Sequence, residues 1–347
     1  MSLRFALAGL KHDHVITMIK EITSCSSTEI TATYEEDLSY CRELVNDKLV
    51  KITNDNYEEM LSETDCDVVV IADAYGRRGA MVIRALQAGK HVLCDKPVCT
   101  RLEELRKIHA LSVQKRLKIG CMLDLRGDGA LRTARRLISE GRIGEVQTVT
   151  FHGQHALYLE TRPRWYFDPE QHGGTINDLS IHGLDALTWL TGRKIVEIVA
   201  ARDWNAKAKP HPLFKDCAQV MLKLENDGGA LGDVSYLAAD YCGRMDHDAR
   251  IYPPGWRFTV HGTCGALEVY HASPDVLLSC DGDRHPIIVP AEPSVHDSWL
   301  MDFLDDIGNK TRDGGLTTDQ ILRSSLAAII AQQAADKQQV NLPCNEF

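Results

Sequence analysis

The sequence predicts an α/β protein in two parts: a doubly wound parallel sheet first, then an α+β part with a largely antiparallel open sheet. Three observations carry this. Short buried apolar runs alternate with helical patterns up to about residue 123, as strand–helix–strand units do. Past that point strand-like runs follow one another, with hairpin signals such as Asn226-Asp227-Gly228-Gly229. The chain of 347 residues is also long enough for two sizeable cores. The expected division is 1–123 and 124–347.

Each element follows from local pattern. Leu3–Ala8 is an apolar strand, and Val15, Ile16, Ile19 and Ile22 mark an amphipathic helix after Gly9. Glu29–Tyr34 is a second strand and Tyr57–Ser62 a short helix. Asp67–Ala72 is a fully buried strand. The helix Gly76–Ala88 is closed by Gly89, and Val92–Cys94 is the next strand. Thr100-Arg101-Leu102-Glu103 reads as a capping box opening a helix. Leu117–Met122 completes the first part. In the second part, Ala130–Glu140 is a helix ending near Gly141. The predicted strands are Val146–Gly153, Val196–Ala201, Gln219–Leu224, Gly229–Leu237, Phe258–His261 and Ala266–Tyr270. A helix spans Gly173–Leu190. Thr317-Thr318-Asp319-Gln320 caps the last one, within 318–337, which is expected to pack back on the first part.

Composition narrows the class. A chain 44% hydrophobic and 25% charged is an ordinary globular protein. Its net charge of −10 disfavours nucleic acid and anionic membranes as partners. No apolar run approaches the length of a membrane span. The N-terminus reads as a strand, not a signal peptide. Eleven cysteines are scattered, without a C-x-x-C pair, so reduced thiols and a cytoplasmic location are expected.

The chemistry concentrates in two stretches. Gly89-Lys90-His91-Val92-Leu93-Cys94-Asp95-Lys96-Pro97 is a cap, a strand and an acid-Lys-Pro end. Open α/β sheets bind ligands at the carboxyl ends of their strands, where Lys96 stands. Pro97 ends the ladder and fixes the turn that presents the lysine; its peptide bond is a candidate for the cis form. The second stretch is Gly173-Gly174-Thr175-Ile176-Asn177-Asp178-Leu179-Ser180-Ile181-His182. Spacing i, i+4 puts Asp178 and His182 on one helix face. Lysine, aspartate and histidine in one cleft are the material of an acid–base site. The bland reading is a surface lysine and a polar helix face. Ile176, Leu179, Leu184 and Leu187 argue against it by half-burying that helix. His12/His14 and Asp246-His247-Asp248 suggest a metal only weakly, for lack of a third ligand nearby in sequence, and no metal is expected.

With His261-Gly262-Thr263-Cys264-Gly265-Ala266-Leu267, these stretches resemble the glucose–fructose oxidoreductase / inositol dehydrogenase (Gfo/Idh/MocA) family over nearly the whole chain. The resemblance implies an N-terminal Rossmann domain that binds NAD and a C-terminal domain for substrate and oligomerisation. It implies Lys96, Asp178 and His182 as the catalytic set: the histidine takes the hydroxyl proton as hydride leaves the same carbon, and the lysine hydrogen-bonds the reacting oxygen. Cofactor contacts are expected from Gly9, Leu10, Lys11 and His12, from Glu35, from Asp73, Ala74 and Tyr75, and from Asp95 and Lys96. Arg164 and Tyr166 are expected at the substrate. Arg126, Trp165, Asp168 and His172 lie in the same flanking segments, where packing or solvent exposure is the simpler reading.

The chain departs from the family pattern. Asp95 stands for the usual glutamate and Thr175 for a third glycine. Asp73-Ala74-Tyr75 stands for Thr-Pro-Asn or similar. The phosphate loop, normally G-x-G-x-x-G, reads Gly9-Leu10-Lys11-His12-Asp13-His14. Lys11 or His12 is expected to offset the missing glycines at a pyrophosphate on the helix N-terminus. Glu35, twenty-six positions after Gly9, ends the second strand, where an acid binds ribose hydroxyls and repels a 2′-phosphate; NAD is therefore expected over NADP. The expected function is hydride transfer between NAD and a secondary alcohol of a sugar, sugar acid or cyclitol. The expected assembly is a homodimer or homotetramer paired through the open sheet face. The rival is a non-catalytic dinucleotide- or sugar-sensing protein of the same fold.

Overall fold

The structure, a computed structural model, describes residues 2–240, 255–310 and 312–344. The first part runs β1 (Leu3–Ala8), α1 (His14–Ser24), β2 (Thr28–Tyr34), α2 (Arg42–Asn46), α3 (Tyr57–Glu63), β3 (Val68–Ile71), α4 (Tyr75–Gln87), β4 (His91–Asp95), α5 (Leu102–Lys115) and β5 (Ile119–Met122). Its five parallel strands lie in the order β2-β1-β3-β4-β5. The order reverses between β1 and β3, which opens a crevice beyond their carboxyl ends. Alternation along β1 divides the core. Phe5 and Leu7 meet Val15, Met18, Ile19 and Ile22 of α1, while Ala6 and Ala8 belong with Val82 and Leu86 of α4.

The second part runs α6 (Gly129–Ser139), β6 (Val146–Ala156), α7 (Pro169–His172), a π-helical turn at Ile176–Ser180, and α8 (Ile181–Thr191). It continues with β7 (Ile195–Trp204), β8 (Cys217–Leu224), β9 (Gly229–Ala238), β10 (Trp256–Gly262), β11 (Gly265–Tyr270), β12 (Asp275–Cys280) and β13 (Ile287–Pro290). It ends with α9 (Ser298–Ile307), α10 (Thr318–Lys337) and β14 (Val340–Pro343). Among the described residues nine strands are ordered β13-β12-β11-β10-β6-β9-β8-β7-β14. Of their pairings, β6 with β9 is parallel and the others are antiparallel. Helices α6, α8 and α10 cover one face. Gly183 and Gly232 let α8 and β9 close on Phe151: a Cβ at either would lie within 2.3 Å of its ring.

Two expectations need correction. Thr100 does not cap α5; the cap is Arg101, without a side-chain bond, and Thr100 lies against Gly173 instead. The helix expected over Gly173–Leu190 is broken, with Gly173 and Gly174 both at positive φ and a π turn before α8. Strands β12, β13 and β14 and helix α9 were not anticipated. The Thr317–Gln320 capping box is formed as read, and α10 reaches α5 and β5.

Helix α9 also returns to the first sheet. Trp299, Leu300 and Phe303 are buried against Phe5, Leu7, Leu93 and Met122. Gly120 makes room: a Cβ there would lie 2.6 Å from the Phe303 ring. We therefore expect Phe303→Ala to destabilise the first sheet by about 3–5 kcal/mol, the usual cost of an emptied aromatic site. Denaturant unfolding measures it. A change below about 1 kcal/mol would show that α9 contributes little to this core.

Candidate active site

Lys96 ends β4, and its peptide bond to Pro97 is cis. A fully buried arginine, Arg78 of α4, pins this turn. It donates to the carbonyls of Asp73 (2.7 Å), Asp95 (2.9 Å), Lys96 and Pro97, and to Asp95 Oδ2 (2.8 Å). Burial opposes the Asp95 charge, but the Arg78 guanidinium, then His14 and His12, hold its carboxyl well below the usual range.

Held there, the Lys96 ammonium meets Asp178 from the π turn. It bonds Asp178 Oδ1 and, at 3.2 Å, the Asp178 carbonyl. Asp178 is fully buried and saturated. Tyr75 donates to Oδ1 at 3.0 Å. Tyr166, at 2.7 Å, and Tyr236 donate to Oδ2, and His172 Nε2 stands 3.4 Å from it. Burial alone would raise the Asp178 carboxyl; the Lys96 charge and His172 outweigh it and hold the pKa well below the usual carboxylate range. Burial, then the Asp178 charge, pushes the Tyr75 and Tyr236 phenols well above theirs.

His182 is close to this pair but not bonded to it. The π turn swings Asp178 toward Lys96 and the tyrosines, and His182 faces Asp124, whose Oδ1 is 3.7 Å from Nδ1. Among the described residues that buried Nδ1 has no hydrogen-bond partner, nor do His155 Nε2 and Trp165 Nε1. His155 and His182 both pack on Trp256. Burial, then the Lys96 charge, lowers His182 to about 4 and His155 to about 3. Buried polar atoms without partners call for an explanation, and a bound ligand or water is one.

The remaining expected residues fall into place unevenly. Gly9 takes φ +76°, and a Cβ there would lie 2.6 Å from that of Asp73. His12 does not turn toward a phosphate: its ring is buried, with Nε2 2.9 Å from the Tyr75 hydroxyl. Lys11 stays at the crevice, paired with Asp73 (3.3 Å) and Glu36 (3.4 Å). Glu35, 1% exposed, turns inward and accepts from the amides of Leu10 (2.7 Å) and Asp37 (2.9 Å). Ala74 is buried at the start of α4. Arg164 is exposed to solvent; Arg162 instead lies over the Tyr166 ring at 4.5 Å. Arg126 makes a two-pronged pair with Asp185 (2.7 and 2.8 Å). Asp168 caps α7. His12 and His14 do meet a third donor, Asp95 from β4, while Asp246-His247-Asp248 lies outside the described residues. Arg78, His155 and Tyr236 were missed. An arginine in an amphipathic helix, and a histidine and a tyrosine in alternating strands, give no sequence signal of their own.

A nicotinamide dinucleotide fits these residues in three respects. The crevice lies at the switch point of a parallel sheet. The loop from Gly9 leads into the N-terminus of α1, which favours anions. Orphaned ring nitrogens stand around Lys96. A cavity of about 220 Å³ joins the loop (Lys11, His12, Asp13) to the opposite wall (Tyr158, Arg162, Trp165, Tyr166).

The comparisons with known proteins agree. Residues 4–122 match the profile described as "Oxidoreductase family, NAD-binding Rossmann fold", and residues 131–268 the GFO/IDH/MocA C-terminal domain. A 1,5-anhydro-D-fructose reductase of Ensifer adhaerens is 32% identical over 145 residues, 41% of this chain and 43% of the relative. An inositol 2-dehydrogenase of Rhizobium meliloti is 24% identical over 250 residues, 71% of this chain and 68% of the relative. The chain thus spans less than half of the first of these. Among solved structures, a Thermotoga maritima protein superposes with a TM-score of 0.83 at 25% identity, covering 98% of this chain and 100% of that one. An apo scyllo-inositol dehydrogenase from Lactobacillus casei has the same fold (TM-score 0.73, 21% identity, covering 99% and 98%). The chain belongs to the Gfo/Idh/MocA family of oxidoreductases, with an NAD-binding Rossmann domain at its N-terminus.

Proposed function

We propose that this protein is an NAD-dependent dehydrogenase acting on a secondary alcohol of a sugar, sugar acid or cyclitol. The observation that carries the reading is the buried Lys96–Asp178 pair beside the unpartnered nitrogens of His182 and His155. Two of the three ammonium protons of Lys96 are taken by Asp178, and the third is available to a substrate oxygen. Asp178 is saturated, so its part is to hold Lys96 and not to move protons. His182, neutral down to about pH 4, is the proton acceptor in oxidation and the donor in reduction. A bound nicotinamide supplies the hydride acceptor or donor at the same carbon. Gly9, Leu10 and Lys11 would hold the pyrophosphate, with Asp73, Ala74 and Asp95 beside the nicotinamide ribose. The names of the relatives support a polyhydroxylated substrate. Anhydrofructose reductase and inositol dehydrogenase both act, by name, on such compounds.

The adenosine end supports NAD over NADP. Glu35, Glu36, Asp37 and Asp73 outnumber Lys11 and Arg77, and both cations are already ion-paired. A 2′-phosphate would enter net negative charge. We expect NADH to bind at least tenfold more tightly than NADPH in a fluorescence titration; equal affinities would refute the preference. The sensor reading has one observation in its favour. Asp13, 72% exposed, puts an acid at the N-terminus of α1, where a pyrophosphate would sit. Absence of dinucleotide binding in the same titration would leave only a sugar sensor, while binding without turnover on any sugar or cyclitol would point to a dinucleotide sensor.

The assembly proposed is a homodimer or homotetramer paired through the open face of the second sheet, which exposes Met221, Leu231 and Leu237. Among the described residues all cysteines are free, which supports a reducing compartment and hence the cytoplasm. No helix among them is long and apolar enough to cross a membrane.

The acid–base assignment makes two checkable statements. His182→Ala should lower turnover on the true substrate by about a hundredfold or more and leave NADH affinity within about twofold, which steady-state kinetics and the titration together measure. The acid limb of kcat/KM should fall near pH 4, where His182 gains its proton, and not near the 6.5 of a free imidazole. A midpoint above pH 6 would remove His182 from the role. Stability should follow the same groups. An unfolded chain protonates His155 and His182 near pH 6.5 but the folded one only near 3 and 4. Stability therefore rises with pH from about 4 to 6.5 and is lost as pH falls through that window.

A further inference from the structure

We propose that His12 Nδ1, His14 Nδ1 and the Asp95 carboxylate bind one divalent ion of the zinc class. This goes beyond the dehydrogenase reading, which needs no metal. The three donors come from the altered phosphate loop and the end of β4, and all lie within 4.8 Å of one another. His14 Nδ1 is 2.9 Å from Asp95 Oδ1, and His12 Nδ1 is 3.2 Å from Asp95 Oδ2. A tetrahedral zinc with bonds of about 2.0–2.2 Å sets its ligand atoms roughly 3.3–3.5 Å apart. The two contacts at Asp95 need only slight opening to admit the ion.

The surroundings are those of ligand atoms rather than of a solvated cluster. Tyr75 has one hydroxyl proton and two neighbours, His12 Nε2 at 2.9 Å and Asp178 Oδ1 at 3.0 Å. Given to the carboxylate, that proton leaves the phenol oxygen to accept His12 Nε2–H, and the lone pair of His12 is then on Nδ1. The backbone amide of His14 donates to this Nδ1 at 3.3 Å, which requires the same tautomer, and an ion bound there would take the place of that amide hydrogen. Two carboxylate oxygens also lie beside this Nδ1, Asp95 Oδ2 and, at 3.3 Å, Asp13 Oδ1. A cation between them turns three mutually repelling groups into ligands. Tyr75 behind His12 and Arg78 behind Asp95 Oδ2 (2.8 Å) are the outer partners that fix ligand orientation. The fourth position falls on the side of Asp13, where a water or a ligand oxygen completes the set.

The test uses tag-free protein stripped with a chelator and titrated with cobalt(II), without dinucleotide, so its outcome is independent of the dehydrogenase reading. Expected is a saturable visible band of tetrahedral cobalt at one ion per chain, displaced by zinc, with elemental analysis giving the same stoichiometry. His14 is 37% exposed, so His14→Ala can leave the core intact, as circular dichroism verifies. It should weaken the ion at least tenfold and abolish the rise in melting temperature that zinc gives the parent protein. Asp95→Asn should weaken it likewise. Three results each overturn the proposal: no saturable cobalt band, undiminished affinity in a folded His14→Ala protein, or a thiolate charge-transfer band placing the ion on cysteines.

Discussion

The Lys96–Asp178 pair is the constraint around which the rest of the molecule is arranged. An ion pair out of water loses hydration worth several kcal/mol per ion, and persists only if every remaining hydrogen-bonding position is filled. Here the positions of the carboxylate are filled from both parts of the chain, and one ammonium proton of Lys96 is left over. Tyr75 comes from the first; Tyr166, Tyr236 and His172 come from the second. The pair therefore forms only when the two parts are docked, and the docking is in turn specified by the pair. Removing one partner alone would strand a buried charge, which costs more than the pair contributes.

Arg78 acts on the same design from below. It takes four consecutive main-chain and side-chain acceptors around the end of β4, so the lysine leaves the sheet in one direction only. A planar fork of five donors does this; the compact ammonium of a lysine could not. The contrast with the neighbouring nitrogens is informative. Asp178 and Asp95 are crowded with donors, yet among the described residues the buried nitrogens of His155, His182 and Trp165 have no hydrogen-bond partner.

Much of this was legible in the sequence because it is local. The parallel strands, the Gly89 stop, the Lys-Pro turn and the Thr317–Gln320 box each depend on a few adjacent residues. The bond between Lys96 and Asp178 was approached but not resolved, since i, i+4 spacing assumes an α-helix and the chain inserts a π turn there. Glu35 was placed correctly at the end of β2, but its inward turn depends on the amide of Leu10, which no spacing reveals. Arg164 was named, but Arg162, two positions earlier in the same loop, lies over the Tyr166 ring, which no spacing reveals. His12 and His14 lacked a third ligand in sequence because Asp95 lies eighty-one positions past His14, at the end of β4, two strands away from β1.

Helix α9 carries a consequence for synthesis. The strands of the first sheet are complete once residue 122 has emerged, but one face of β1, β4 and β5 then lacks Trp299, Leu300 and Phe303. Those side chains leave the ribosome some 180 residues later. At the elongation rates of living cells that is a delay of roughly ten to forty seconds. During it an apolar groove on the nascent first domain stays open to water and to chaperones. The domain that comes first in the chain is thus among the last to be finished.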